Sequence, residues 1–465
     1  MKHHASWSLV VAVVLASGFL AGCVQQEGGD GAGGIKTQCG GTSAATFSGA
    51  GAGLLREAAS APSAIGSEVG EAAQPSGGLV IGTLVPLTGS LEAYGGDMER
   101  AVEMAVDEIN RAGGVNGQQV RVVKEDSQSN AATAPQAFQR LVSEKVSGVV
   151  GAAGSAVTGS ILEAAKNNNV MVVTPASTSP TLTLDRDNGG YFLRIPPSDA
   201  LQGKVLAQTV YQDGCRSAVL IAVNNDYGVG LSRVFEETFK SLGGTIKAET
   251  VKFPANAQTF SSEVQKAASA NADAIVLVGY PQEGVPLMKE AFQRGAMGKS
   301  VFFFSEGVRA PAFVTGVGKT SDGKFVLAGL KGTAPTGVAS PGFEHFNRTF
   351  HEKHGRAPGL FAAESYDATW IIALAAQCAG ANTGSGIKDN VLKVVNRDGP
   401  ADVAVSGSNA VLALNSAKAG CGINYQGAAH DFDFDTRGDP KEGVYSVWQV
   451  GPDGAITTVR SDVRP

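Results

Sequence analysis

Charged and aromatic side chains are scarce in this chain: Asp, Glu, Lys and Arg make up 17% of its 465 residues and aromatic residues 7%. The net charge is −6 and no basic block occurs, which argues against a phosphate-tracking surface and therefore against nucleic-acid binding. The five cysteines form no CxxC pair and no zinc-like Cys/His spacing, so they do not suggest a metal centre. No serine has glycine both two residues before and two after it, which removes the nucleophile elbow of the hydrolases. Beyond the N-terminal leader, no apolar run is long enough to span a bilayer. What the chain does have is hydrophobic content, at 43%, which is enough for a substantial packed core.

The first residues read as an export signal. Lys2, His3 and His4 precede the apolar run Leu9 to Leu15, which is too short to cross a membrane and ends in small residues. Leu20-Ala21-Gly22-Cys23 resembles a bacterial lipobox, with Cys23 as the lipid-bearing residue once residues 1–23 have served as signal peptide. Residues 24–78 are mostly Gly, Ala and Ser with few large apolar side chains, the composition of a flexible tether. With Cys23 lipidated, Cys39, Cys215, Cys378 and Cys421 remain and allow three pairings. We favour Cys378–Cys421, since both lie in the C-terminal part of the chain and export permits a disulfide.

From Leu79 onward strands and helices alternate. Apolar runs at 79–85, 120–123, 149–150 and 170–173 are separated by helical periodicities at 98–112, 134–145 and 155–167. A second series follows, with strands at 219–223, 245–251, 274–278 and 301–304 around helices near 231–242, 260–270 and 283–294. Helices are expected at 343–354 and 361–379 and around Val391 and Val411, then strands at 432–434 and 444–450. This cadence predicts an α/β protein with two Rossmann-like lobes, each with a parallel sheet. We place lobe 1 at 79–198 and 329–441 and lobe 2 at 199–328 and 442–465, joined by a hinge of about three crossings.

Ligands of open α/β sheets bind beyond the carboxyl ends of the strands, so the residues there are the candidates. They include Tyr94, the turn Gly151 to Ser155, the loop Thr174-Pro175-Ala176-Ser177-Thr178-Ser179-Pro180, then Tyr227, Tyr280 and Glu306. The Gly154-Ser155 turn opens a helix, and its free N–H groups and dipole suit an anion. It carries neither a P-loop lysine nor GxGxxG, which points to a carboxylate rather than a polyphosphate.

Several segments in this order resemble the periplasmic substrate-binding proteins of branched-chain amino-acid ABC transporters, which have the type I periplasmic binding fold. They are Ala93-Tyr94-Gly95, Asn110 to Val115, Thr174-Pro175-Ala176, Asp226 to Gly230 and Ser305-Glu306-Gly307. The resemblance implies that Ser155 bonds a ligand carboxylate and that Ala176 offers its carbonyl to an ammonium group. It further implies that Thr178 serves both ends through its N–H and hydroxyl, that Ser177 shapes the loop, and that Glu306 pairs with the ammonium. Tyr94, Tyr227 and Tyr280 would supply an aromatic lining, and Asp199 is a further candidate near the first crossing. A zwitterion taken out of water needs both charges matched, and this set does so without a buried arginine. Family members often carry a cysteine pair where Gln128 and Gly154 stand here, and the small Ala153-Gly154 pair points to a wider side-chain pocket.

The resemblance thus implies a monomeric, exported, lipid-anchored receptor. It would capture an aliphatic amino acid and deliver it to an ABC permease, with no cofactor, no metal and no catalytic residue. A sensory receptor of the same fold and a periplasmic hydrolase or amidase are the rival expectations. Two further motifs fail on spacing. His351-Glu352-Lys353-His354 is one residue short of HExxH, and the Asp431/Asp433/Asp435/Glu442 run has Thr436 where a calcium loop needs glycine.

Overall fold

Two separate series of Val-, Ile- and Phe-rich strands build two separate sheets. They are seen in a computed structural model that describes residues 34–40, 77–337, 340–396, 403–430 and 432–465. The strands in chain order are β1 (Val80–Val85), β2 (Arg121–Asp126), β3 (Gly148–Gly151), β4 (Met171–Thr174), β5 (Phe192–Arg194), β6 (Ser217–Val223), β7 (Thr245–Ile246), β8 (Val251–Phe253), β9 (Ala274–Val278), β10 (Val301–Phe304), β11 (Lys331–Pro335), β12 (Val403–Val405), β13 (Ile423–Tyr425), β14 (Tyr445–Val450) and β15 (Ile456–Val463). The first sheet is wholly parallel, in the order β2-β1-β3-β4-β5. The second runs β15-β14-β11-β10-β9-β6-β7, with β8 also on β6; it is parallel up to β11, and β14 and β15 are antiparallel. The fold is therefore α/β with two Rossmann-like lobes.

Strand alternation splits each apolar run between two helix layers. In lobe 1, Val150 and Val173 face the helices Glu92–Arg111 and Ala362–Ala379, while Val149 and Val172 face Ala134–Ser143 and Ser155–Asn167. Burial on both faces is why these strands read as continuous apolar runs rather than alternating ones.

The chain passes between the sheets three times: after Arg194, after Pro335 and before Tyr445. The second passage differs from the expected boundary at 329. Strand β11 pairs with β10 and β14, so lobe 2 extends through Pro335. Three other expectations change. The run 245–251 is broken into β7 and β8. Phe432 and Phe434 stack on each other near the lobe 1 core without forming a strand. Strand β5, the helix Asp199–Gln212 and strand β15 complete the lobes where no element was assigned.

The lipobox, Cys23 and most of the tether lie outside the described residues. Residues 34–40 do not, and they correct the reading of 24–78 as tether throughout. Cys39 is disulfide-bonded to Cys215, Ile35 packs against the lobe 2 core, and the Lys36 N–H donates to the Met297 carbonyl at 2.8 Å. Composition missed this docking because it rests on a disulfide and one isoleucine. The structure also pairs Cys378 with Cys421.

Candidate functional site

The carboxyl ends of both sheets converge on a small cavity between the lobes. Leu91, Tyr94, Met98, Ala153, Gly154, Ser155 and Phe361 line it from lobe 1, with Ala176; Tyr227, Tyr280, Glu306 and Gly307 line it from lobe 2.

Gly154 makes the anion-facing turn possible. Its φ of 89° lies in the left-handed region, and it precedes the first residue of the helix Ser155–Asn167. The Ser155 hydroxyl does not cap that helix; it accepts from the Ser179 N–H at 3.1 Å. The first-turn N–H groups of a helix start have no partner within the helix and favour a negative group.

The 174–180 loop is braced from below. The Ala152 carbonyl accepts from Thr158, Thr174 and Ser177 hydroxyls at 3.0, 2.5 and 3.2 Å. Ser177 also bonds Thr158 at 2.7 Å, so its side chain is committed to the lobe rather than to the cavity. Thr178 is tied to the first crossing: its hydroxyl donates to Asp199 Oδ2 at 2.9 Å, and its carbonyl accepts from the Asp199 N–H at 2.8 Å. Of the nine candidates, Ser155, Ala176, Tyr94, Tyr227, Tyr280 and Glu306 share the cavity wall; Ser177, Thr178 and Asp199 stand behind it.

Glu306 and Asp199 are both buried. Burial raises Glu306 to about 7, opposed by hydrogen bonds from Tyr227, the backbone of Glu306, Gln202 and Gly307. Asp199 is pushed well above the carboxylate range, first by burial and then by the charge on Glu306. Asp199 Oδ1 and Gln202 Oε1 have no hydrogen-bond partner among the described residues. This end of the site is therefore acceptor-rich and suits a cationic donor.

Aromatic rings form the rest of the wall. Tyr227 and Tyr280 stack with centroids 5.5 Å apart, and Tyr94 meets Phe361 edge-on at 5.7 Å. Phe361, Leu91, Met98 and Gln202 went unnoticed in the sequence. Leu91 lies in the loop after β1 and was within reach of the strand-end rule, whereas Phe361 sits in a left-handed turn before a helix and carries no local signal.

The lobes touch around this cavity. The Tyr94 hydroxyl donates to the Gly307 carbonyl at 3.0 Å, Ser179 Oγ to the Asp226 carbonyl at 2.9 Å, and Arg186 pairs with Asp226 at 2.9 Å. Gly307 has no room for a side chain, because a Cβ there would lie 2.4 Å from the Gly279 carbonyl.

The HExxH-like residues do not converge: His351 is exposed and His354 folds back on Phe350 at 4.6 Å. In the acidic run, Asp433 pairs with Lys441 at 2.8 Å and Asp439 with Arg194 at 2.6 Å. Among the described residues no helix is long and apolar enough to cross a membrane.

The sequence model of the periplasmic binding proteins matches residues 78–430. The chain belongs to the periplasmic binding protein family. Among curated relatives, this periplasmic binding protein is 26% identical over 387 residues to the chemotactic signal transduction system substrate-binding protein BasB of Halobacterium salinarum, covering 82% of this chain and 88% of that one. It is 25% identical to Leu/Ile/Val-binding protein homolog 1 of Brucella abortus, with 82% and 93% covered. Among solved structures it resembles the leucine binding protein LivK of Thermotoga maritima, with TM-score 0.69, 26% identity, and 83% and 98% covered. It also resembles the branched-chain amino acid transporter substrate binding protein LivJ of Streptococcus pneumoniae in complex with isoleucine, with TM-score 0.66, 26% identity, and 83% and 100% covered. It is a solute-binding protein of the LivK/LivJ type, with the type I periplasmic binding fold.

Proposed function

We propose that this protein captures an aliphatic α-amino acid between its lobes and delivers it to an ABC permease from an extracytoplasmic, lipid-anchored position at Cys23. The supporting observation is that groups of opposite polarity line one small cavity. Glu306 lines it with no basic side chain among the described residues bonded to it, and so does Ser155 at a helix start. An ammonium placed at Glu306 and the Ala176 carbonyl would put its own carboxylate within reach of Ser155 and the neighbouring N–H groups. Leu91, Met98, Ala153 and Phe361 then face the ligand side chain, and all four are apolar.

A thermal-shift panel of amino acids and small amides tests this directly. A ligand at about one hundred times its Kd adds roughly 2.7 kcal/mol to stability. A panel in which no amino acid raises the melting temperature removes this ligand class. A second reading, a chemosensory receptor for the same ligands, is favoured by the similarity to the chemotactic protein BasB. Co-purification with a permease supports transport, and with a membrane transducer, sensing.

A further inference from the structure

Ser90 and Glu283 meet across the lobe boundary beside the cavity. Glu283 is fully buried in lobe 2, and its Oε1 accepts from the Ser90 hydroxyl of lobe 1 at 2.5 Å and from the Asn256 N–H at 2.7 Å. Ser90 Oγ also lies 3.1 Å from Asn256 Oδ1, and Glu283 Oε2 has no partner among the described residues. The residue after Ser90 is Leu91, and the residue one turn before Glu283 is Tyr280; both line the cavity. This polar contact is thus bonded in sequence to two opposing pieces of the ligand wall.

The loop carrying Leu91 has little freedom to retreat. Asp126 accepts from the Leu87 and Thr88 N–H groups at 2.9 and 3.3 Å and from the Thr88 hydroxyl at 2.6 Å. Ser129 Oγ accepts from the Leu91 N–H at 3.0 Å and donates to the Thr88 carbonyl at 3.0 Å. Leu91 also lies over Gly154, where a Cβ would come within 3.1 Å of Leu91 Cδ1. Leu91 therefore occupies part of the room that the small Ala153-Gly154 pair leaves.

We propose that Ser90 and Glu283 form a closure latch that reads ligand side-chain size through Leu91, making Leu91 a specificity-determining residue of the amino-acid site proposed above. A side chain that fits under Leu91 lets the lobes approach until Ser90 reaches Glu283. A larger one pushes on Leu91, and because its loop is braced, the displacement passes to the lobe separation and parts the latch. Hydrogen bonds are short-ranged, so a small misfit in the cavity becomes an all-or-none loss at the latch.

The test is titration calorimetry with L-valine, L-leucine and L-phenylalanine on wild type, Leu91→Ala and Ser90→Ala. The wild type favours valine and leucine over phenylalanine. Leu91→Ala shifts the phenylalanine-to-valine ratio about tenfold towards phenylalanine, the scale of a small change in an apolar pocket. Ser90→Ala weakens valine and leucine about tenfold, as expected for one hydrogen bond to a carboxylate, and changes phenylalanine little. An unchanged ratio in Leu91→Ala, or an equal loss for all three ligands in Ser90→Ala, overturns the proposal. If the wild type binds none of the three, the amino-acid reading falls and the reading of side-chain size falls with it. X-ray scattering of the ligand-free proteins then decides the latch alone: a larger radius of gyration in Ser90→Ala supports it, and an unchanged one removes it.

Discussion

Arg194, at the last residue of β5, is fully buried and pairs through Nε with Asp439 Oδ1 at 2.6 Å. Its other nitrogens donate to the Ser179 carbonyl and the Thr183 hydroxyl, both at 2.7 Å, and its own N–H donates to the Gly438 carbonyl at 3.0 Å. One guanidinium thus joins the end of the ligand loop to the segment that leads into the third interlobe passage. Asp439→Ala leaves a buried cation unmatched and is expected to cost about 3–5 kcal/mol in chemical denaturation. Asp439→Asn keeps an acceptor and is expected to lose less. Equal losses in the two variants would show that the charge is unimportant.

Glu306 is expected to read the ligand ammonium. Glu306→Ala removes one partner of a buried charge-assisted contact and should cost about 2–5 kcal/mol of binding for an amino acid. The same change should barely affect an analogue that lacks the ammonium. Calorimetry with both compounds separates the two, and parallel losses take Glu306 out of that role.

Stability should fall as pH rises between about 6.5 and 8 in the ligand-free protein. Burial raises Glu306, Glu364 and Asp367 each to about 7 and Asp199 upward as well, so the folded state holds protons that the unfolded state has already released. His430, held down at about 4 by burial, acts the opposite way, but only below its ordinary value near 6.5. An ammonium-bearing ligand needs Glu306 ionised, so its binding should release protons and tighten over the same interval. Melting curves at pH 6.5, 7.2 and 8 check the first statement. Calorimetry in buffers of different ionisation enthalpy checks the second, and zero proton release would refute it.

The Cys39–Cys215 bond fastens the N-terminal arm near the amino ends of β6 and β9, away from the cavity, with Cys39 Sγ 3.7 Å from the Asp273 carbonyl. Replacing either cysteine by serine should cost about 2–4 kcal/mol, the usual range for a native disulfide. It should leave affinity for the ligand unchanged, because no residue of 34–40 lines the cavity. Denaturation and calorimetry on Cys215→Ser check both halves, and a changed affinity would place the arm in the site's mechanics.

The sequence by itself determined the two α/β series, their strand ends and the polar wall of the site, since these rest on local periodicity and on residues adjacent to strand ends. Val149-Val150 and Val170 to Val173 read as buried strands because burial on both faces leaves no alternation to hide them. Ser155, Ala176 and Glu306 were legible in turn, each lying within four residues of a strand end. Tertiary structure alone decided which groups meet. Phe361, from a turn nearly 270 positions along the chain, closes on Tyr94, and Thr178 spends its hydroxyl on Asp199. Ser90 reaches Glu283 across 193 positions. Cys39, in a stretch whose composition reads as tether, finds Cys215 across 176. Contacts at such separations depend on how the lobes close and where the chain crosses between them. No window of the sequence contains that information, because it arises only when distant segments are packed together.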